Sequence, residues 1–250
     1  MIGILRALAA KEWLRHGNLV VLYLTAWIVA GWVVPAIDHP GWVLALAGWY
    51  ALVAGHRFGA SEAEDGSEEF ALALPPTRGQ RYLARLLVGG SPLAVLSGLG
   101  TFAVRHDLPP RLWALLVDSG FAEPFAARGE GLVEGLALVL PAAVFGVSFA
   151  FAAGASPARA ASAWAVGGRA GGGLLAAGLA LEFRLLGTAG GSLSIPALAV
   201  LASGAPVAGW VAYRRRELPA RPAPVESADR WWVGALVGFL ALLVLLSLLR

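Results

Sequence analysis

Long apolar stretches, separated by shorter polar ones, run through the whole chain. A helix needs about 20 mainly apolar residues to cross the hydrocarbon core of a membrane. Seven stretches reach or approach that length: residues 19–37, 41–56, 82–104, 132–154, 162–181, 195–213 and 231–249. Each should be helical, because lipid offers the backbone no hydrogen-bond partner outside the segment. The pattern therefore predicts an all-α fold, a polytopic transmembrane bundle of six to seven helices that makes one domain of residues 1–250.

Two further segments lie at the ends of this predicted bundle. Residues 1–17 do not read as a secretory signal, because Lys11, Glu12 and Arg15 follow the apolar start instead of preceding it. They predict an N-terminal interfacial helix that leads into the first span, with a cytoplasmic tail as the alternative. Residues 214–230 are rich in proline and predict a cytoplasmic linker to an extra C-terminal span, the stretch 231–249.

The composition argues against a water-soluble globule. Hydrophobic residues make up 58% of the chain and charged residues 14%, whereas a soluble domain carries about 25% charged residues. The net charge of +3 comes almost wholly from arginine, since Lys11 is the only lysine. Because these arginines adjoin apolar stretches, we expect them to meet a lipid bilayer with anionic headgroups and no nucleic acid. The lack of cysteine rules out disulfides and thiolate chemistry.

The placement of basic residues predicts the orientation in the cell membrane. With a cytoplasmic N-terminus, thirteen basic residues lie in inner segments and five in outer ones. The inner set is Arg6, Lys11, Arg15, Arg57, Arg78, Arg81, Arg85, Arg159, Arg214, Arg215, Arg216, Arg221 and Arg230; the outer set is Arg105, Arg111, Arg128, Arg184 and Arg250. Cytoplasmic loops carry the excess of Lys and Arg, so we predict a multi-pass protein with a cytoplasmic N-terminus.

Motifs for catalysis and for nucleotide binding are missing. A phosphate-binding P-loop ends in Gly-Lys-Ser/Thr, but the single lysine lies in Ala10-Lys11-Glu12. The four histidines lack the paired spacing of metal ligands. Ser148 has no histidine in a later span to act as its base. We therefore expect no catalytic residue, metal or cofactor in this chain, and an intramembrane enzyme is the least favoured function class.

The most distinctive polar stretch is the predicted cytoplasmic segment 57–81. Acidic residues crowd its middle, and the pair Pro75-Pro76 then stops any helix. Three arginines return the chain to the membrane: Arg78, Arg81 and Arg85. The pattern predicts an acidic helix over residues 62–74, with the three arginines at the lipid headgroups. The alternative is a solvated loop that contacts nothing.

This segment resembles the cytoplasmic loop of ABC-2 type transporter permeases. In that family an acidic residue and Gly-Thr-x-Glu precede a Leu-rich turn, followed by Leu-Pro-x-Ser-Arg and then Gly-Lys-Leu-Leu. The matching residues are Glu64, Gly66, Glu69, Leu72, Leu74, Pro75, Arg78, Leu86 and Leu87. Ser67 and Thr77 exchange one hydroxyl residue for the other, and Arg85 stands where the family often has lysine. The extra span at 231–249 departs from the family's six-helix pattern.

The resemblance implies the membrane-spanning permease subunit of an ATP-driven exporter. Such a subunit works as a homodimer, or as a heterodimer with another permease, beside a separate ATP-binding cassette subunit that binds ATP and Mg. The residues implied to bind that subunit are Glu62, Glu64, Asp65, Gly66, Glu68, Glu69, Phe70, Leu72, Leu74, Pro75 and Arg78. The rival interpretation is a non-transporting membrane scaffold or accessory subunit.

One charge lies inside a predicted span. Arg169 belongs to the stretch 162–181, and an arginine at the membrane centre costs about 2.5–3.5 kcal/mol on insertion scales. Its long side chain can snorkel to the headgroups. Alternatively, it lines a transport path between subunits.

Overall fold

The structure is a computed structural model of the chain, and it describes residues 2–28, 41–64, 76–105, 134–154, 160–182 and 191–215. These ranges hold six α-helices and no strand. The helices are α1 (Ile2–Ile28), α2 (Gly41–Glu64), α3 (Arg78–Arg105), α4 (Glu134–Gly154), α5 (Ala160–Glu182) and α6 (Gly191–Arg215). The prediction of an all-α fold is confirmed for the described residues.

Two of the described helices are long and apolar enough to cross a membrane. They are Arg78–Leu99 within α3 and Pro196–Arg215 within α6, and a shorter apolar stretch, Leu138–Gly154, lies within α4. The other predicted spans stay predictions, and residues 231–249 lie outside the described part of the chain.

The N-terminal segment is helical and continuous with the start of the first predicted span. α1 runs without a break from Ile2 to Ile28, so the predicted helix at 1–17 and the beginning of that span form one element. Residues 2–17 are therefore not frayed in the structure, and a cytoplasmic location of this segment stays a prediction. Whether this part lies at a membrane interface stays a prediction.

Neighbouring helices along the chain run in opposite directions. His16 and Tyr23 of α1 contact Phe58 and Tyr50 of α2, so rising residue numbers in α1 meet falling numbers in α2. The same reversal relates α2 to α3, α3 to α6, and α4 to α5. This alternation is what a chain produces when consecutive helices traverse the same layer.

Helix α4 is the centre of the bundle. It packs against α2, α3, α5 and α6, whereas α1 lies at the periphery against α2 and α3. The apolar core is built mainly from α2 and α4, with fully buried Tyr50, Val53, Leu140, Val144 and Phe149.

Two glycines let α2 and α4 approach each other closely. A Cβ atom added at Gly55 would lie 2.8 Å from the carbonyl oxygen of Phe145. One added at Gly59 would lie 2.8 Å from the carbonyl oxygen of Phe149 and 2.7 Å from the Cβ atom of Ala152. Gly55 and Gly59 are four residues apart, so they lie on one face of α2. Small residues at this spacing are typical of helix pairs in membranes.

On α1 one acidic side chain is buried while several large apolar side chains are exposed. Glu12 is only 3% exposed, whereas Leu14 is 86% exposed and Trp13 and Val21 are about half exposed. A helix on a water-soluble protein buries its apolar stripe and exposes its charges. The exposed apolar side chains of α1 fit an apolar surround, lipid or a partner, better than water.

Candidate functional site

The predicted acidic helix does not begin as a separate element. α2 continues through Arg57 as far as Glu64, so the helix that contains the predicted span 41–56 extends two turns beyond it, and Glu62 and Glu64 belong to its last turns. The rest of the predicted partner-binding set up to Pro75 lies outside the described residues: Asp65, Gly66, Glu68, Glu69, Phe70, Leu72, Leu74 and Pro75. The described helices α2 and α3 therefore fix the two ends of this segment.

The start of α3 is set by a capping box that the apolar pattern of the sequence does not show. The Gln80 backbone N–H donates to the Thr77 hydroxyl at 3.3 Å, and the Thr77 backbone N–H donates to the Gln80 side-chain oxygen at 2.9 Å. The sequence pattern Thr-x-x-Gln at positions 77–80 is the signal that indicates this helix start. The helix begins at Arg78, directly after the cap, instead of at position 82.

Two of the three arginines near this start are not at the periphery. Positions 78, 81, 82 and 85 lie on one face of a helix, and that face points into the bundle. Arg81 is 3% exposed and Arg85 is 1% exposed. The prediction that both lie at the lipid headgroups is wrong, because both side chains are buried in the bundle. Arg78 is half-buried and donates a hydrogen bond of 2.9 Å to the carbonyl oxygen of Arg214.

Arg85 connects three helix ends. One guanidinium nitrogen donates to the carbonyl oxygen of Gly59 in α2 at 3.2 Å, and the other donates to the hydroxyl of Tyr213 in α6 at 2.6 Å. The guanidinium carbon also lies 4.9 Å from the centroid of the Tyr213 ring. A buried charge is costly unless hydrogen bonds and nearby dipoles compensate it. These contacts therefore stabilise one particular arrangement of α2, α3 and α6.

An aromatic cluster surrounds this connection. The Tyr82 hydroxyl donates to the carbonyl oxygen of Pro206, and its ring lies 5.1 Å from Phe149, 5.4 Å from Trp210 and 5.7 Å from Tyr213, measured between centroids. The cluster packs the start of α3 against both α4 and α6.

Further buried polar groups lie at the same end of the bundle. The Glu12 carboxylate and the His16 imidazole of α1 approach to 4.0 Å, and the His16 ring packs edge-on against Phe58 of α2 at 4.9 Å. His56 and Ser61 of α2 are also buried. No local sequence pattern marks these side chains as buried, so the sequence does not predict their place in the site.

This end of the bundle also collects much of the positive charge of the described helices. We call it the basic end of the bundle, and it holds Arg57, Arg78, Arg81, Arg85 and Arg214. Arg85 lies inside it, whereas Arg214 is exposed at its surface. The end of α2 and the start of α3, which border the predicted partner-binding segment, both belong to it.

Arg169 is exposed on α5 in the single chain. This position is compatible with snorkelling and with a place between subunits, so both interpretations stay predictions. Within the six described ranges, no three His, Asp or Glu side chains converge as a metal-binding group.

Comparison with family models, with curated proteins and with solved structures finds no match to this chain.

Proposed function

We propose that this chain is the permease subunit of an ABC-2 type exporter, a multi-pass protein of the cell membrane with a cytoplasmic N-terminus. It forms the translocation path as a homodimer, or as a heterodimer with another permease. A separate ATP-binding cassette subunit binds ATP and Mg and does the hydrolysis. This chain contributes no catalytic group.

The observation that carries the proposal is the connection made by Arg85. The segment between α2 and α3 is the part that resembles the family's cytoplasmic loop, and Arg85 joins the end of α2 to the start of α3 and to the end of α6. A displacement of that segment by the partner would be transmitted directly to α2 and α3. Because Arg85 donates a hydrogen bond to the Tyr213 hydroxyl, the displacement would also be transmitted to α6. A coupling role requires a mechanical connection of this kind between the segment and the helices. A solvated loop that contacts nothing requires no such connection.

The surface of the helices supports a membrane location. Large apolar side chains are exposed along α1, α3 and α6: examples are Leu14, Val21, Leu87, Val95, Val200 and Val207. The apolar part of α6, Pro196–Arg215, is mostly exposed, which favours a surround of lipid over the interior of a soluble protein.

The test is co-purification in mild detergent, in which the proposal expects a separate ATP-binding cassette protein, encoded by a neighbouring reading frame, to be recovered with this chain. When a helix binds in a groove of its partner, the buried apolar side chains determine most of the affinity. Charged side chains at the edge of the contact mainly affect the association rate. Replacing Phe70 and Leu74 by Ala should release the partner, with each lost anchor costing about 1–3 kcal/mol. Replacing Glu62 and Glu64 by Gln should weaken assembly mainly at low salt.

Leu24→Ala is a matched control, because Leu24 is an exposed apolar residue of α1. It lies outside residues 57–81, which we call the coupling segment because they are proposed to couple this chain to its partner. This variant should leave both partner binding and ATP hydrolysis unchanged. If the Phe70 and Leu74 variants keep full binding and full ATPase activity, the coupling role is wrong and the scaffold interpretation gains support.

A further inference from the structure

A shallow cavity lies where α6 ends beside the start of α3. Its volume is about 400 Å³, and its lining is Trp210, Val211, Arg214 and Arg215. The indole of Trp210 leans against α3, since a Cβ atom added at Gly79 would lie 3.2 Å from its ring. Gly79 therefore leaves room for the Trp210 ring between the two helices.

Among the described residues that line this cavity, the charge is of one sign. Arg214 and Arg215 are exposed in the last turn of α6, and none of the four lining residues is acidic. Arg78 brings a third positive charge to the same place, because its guanidinium donates to the Arg214 carbonyl oxygen at 2.9 Å. Such a cluster favours an anion with several oxygen acceptors, such as a phosphate group.

An apolar track leads away from these charges along the surface of α6. Val200, Val207 and Val211 lie on one stripe of the helix, at spacings of seven and four residues. Their exposed fractions are 69%, 62% and 43%. The stripe ends at Arg214 and Arg215, so positive charge and apolar surface meet end to end. Trp210 lies at their junction, the position that tryptophan favours between lipid tails and headgroups.

The cavity and the apolar track together form one groove on the surface of α6. We propose that this groove binds an anionic phospholipid, with the headgroup phosphate at Arg214 and Arg215 and one acyl chain along Val200, Val207 and Val211. A free phosphate would use the charges but not the track. A neutral lipid would use the track but not the charges. The site depends on the membrane location in the proposed function, but not on ATP-driven transport. Because the groove borders Arg78 and the start of α3, a bound lipid would stiffen the region that holds the coupling segment.

The test is native mass spectrometry of the detergent-purified chain, titrated with phosphatidylglycerol or with phosphatidylcholine carrying the same acyl chains. The wild-type chain should bind phosphatidylglycerol more tightly. Each basic residue near an anionic lipid surface contributes about 1 kcal/mol, so replacing Arg214 and Arg215 by Gln should weaken phosphatidylglycerol binding about 30-fold. Phosphatidylcholine binding should change little.

Two controls separate this site from general electrostatics. Replacing Arg6 and Lys11 by Gln removes the same charge from exposed positions of α1 at the same end of the bundle, and it should change phosphatidylglycerol binding less than about 3-fold. Val207→Ser should weaken lipid binding without affecting the binding of glycerol phosphate, which has no acyl chain.

Equal binding of the two lipids by the wild-type chain would overturn the site. So would an equal loss in the control pair, or competition by glycerol phosphate as effective as that of the lipid. If the chain is recovered from the aqueous fraction instead of membranes, the proposed function fails as well. A membrane-extracted chain without lipid preference overturns only the groove.

Discussion

The guanidinium of Arg85 donates a hydrogen bond of 2.6 Å to the hydroxyl of Tyr213, a residue 128 positions away along the chain. Arg85 also donates to the carbonyl oxygen of Gly59. Three helices that are separate in sequence are thereby joined through one buried side chain, directly beside the segment proposed to receive the partner.

Removing either end of this bond should destabilise the bundle. Tyr213→Phe leaves the buried guanidinium with one acceptor fewer, and Arg85→Ala leaves both the hydroxyl and the Gly59 carbonyl without this donor. An unsatisfied buried polar group costs about 1–3 kcal/mol, so Arg85→Ala should be the more damaging change. Unfolding in detergent, followed by circular dichroism, would measure both. If the double variant loses the sum of the two single losses, the residues do not interact energetically.

The helices of this chain can be predicted from its sequence for a simple reason. Long apolar stretches can satisfy their backbone groups in an apolar surround only as helices, and the six described helices overlap six of the predicted stretches. Apolar content alone predicts that α3 starts at position 82, because Arg78 and Arg81 precede the apolar stretch. The capping pattern of Thr77 and Gln80 predicts the observed start, because it identifies the first turn by its hydrogen bonds.

The burial of Arg81 and Arg85 could not be predicted in the same way. Next to an apolar stretch, an arginine ordinarily extends its side chain to the headgroups. Arg85 is buried because it finds one hydrogen-bond acceptor on α2 and another on α6. Both acceptors are distant in sequence, so no local pattern predicts them. The same holds for Glu12 and His16 of α1, whose surroundings depend on how α1 packs against α2 and α3.

Gly59 should tolerate no side chain, because α2 and α4 touch there. Gly59→Ala would place a Cβ atom 2.7 Å from that of Ala152, and overpacking of this kind costs about 1–3 kcal/mol. Gly172→Ala in α5 is the control, since a Cβ atom added at Gly172 would have no neighbour within 4 Å. Gly172→Ala should be neutral or raise stability by up to about 1 kcal/mol, as alanine is the better helix former. Equal losses in thermal unfolding for the two variants would contradict the close contact.

Thr77→Ala should loosen the first turn of α3. The substitution removes the hydroxyl that accepts from Gln80, and loss of such a cap costs about 1 kcal/mol. Hydrogen exchange of the amides in the first turn of α3 should become faster, while exchange in the middle of the helix stays the same. Thr25→Ala is matched to it, because the Thr25 hydroxyl only donates back to the Val21 carbonyl within α1. Faster exchange at α3 in both variants, or in neither, would show that Thr77 has no capping role.

The alternating helix directions are relevant to the predicted orientation of the chain in the membrane. They bring the first half of α1, the end of α2, the start of α3 and the end of α6 to the basic end. These are segments predicted to be cytoplasmic, and basic residues concentrate on the cytoplasmic side. The cysteine-free chain allows single cysteines to report the side directly. A membrane-impermeant, charged thiol reagent should label Ala122→Cys in intact cells and Ala63→Cys only after lysis.

Val95→Cys serves as the third position in this experiment. Val95 is exposed in the middle part of α3, where the proposed surround is lipid, so a charged reagent should not reach it before or after lysis. Labelling of Ala63→Cys in intact cells together with protection of Ala122→Cys would reverse the orientation. Ready labelling of Val95→Cys would mean that water, not lipid, covers this face of α3, and the membrane location itself would then be wrong.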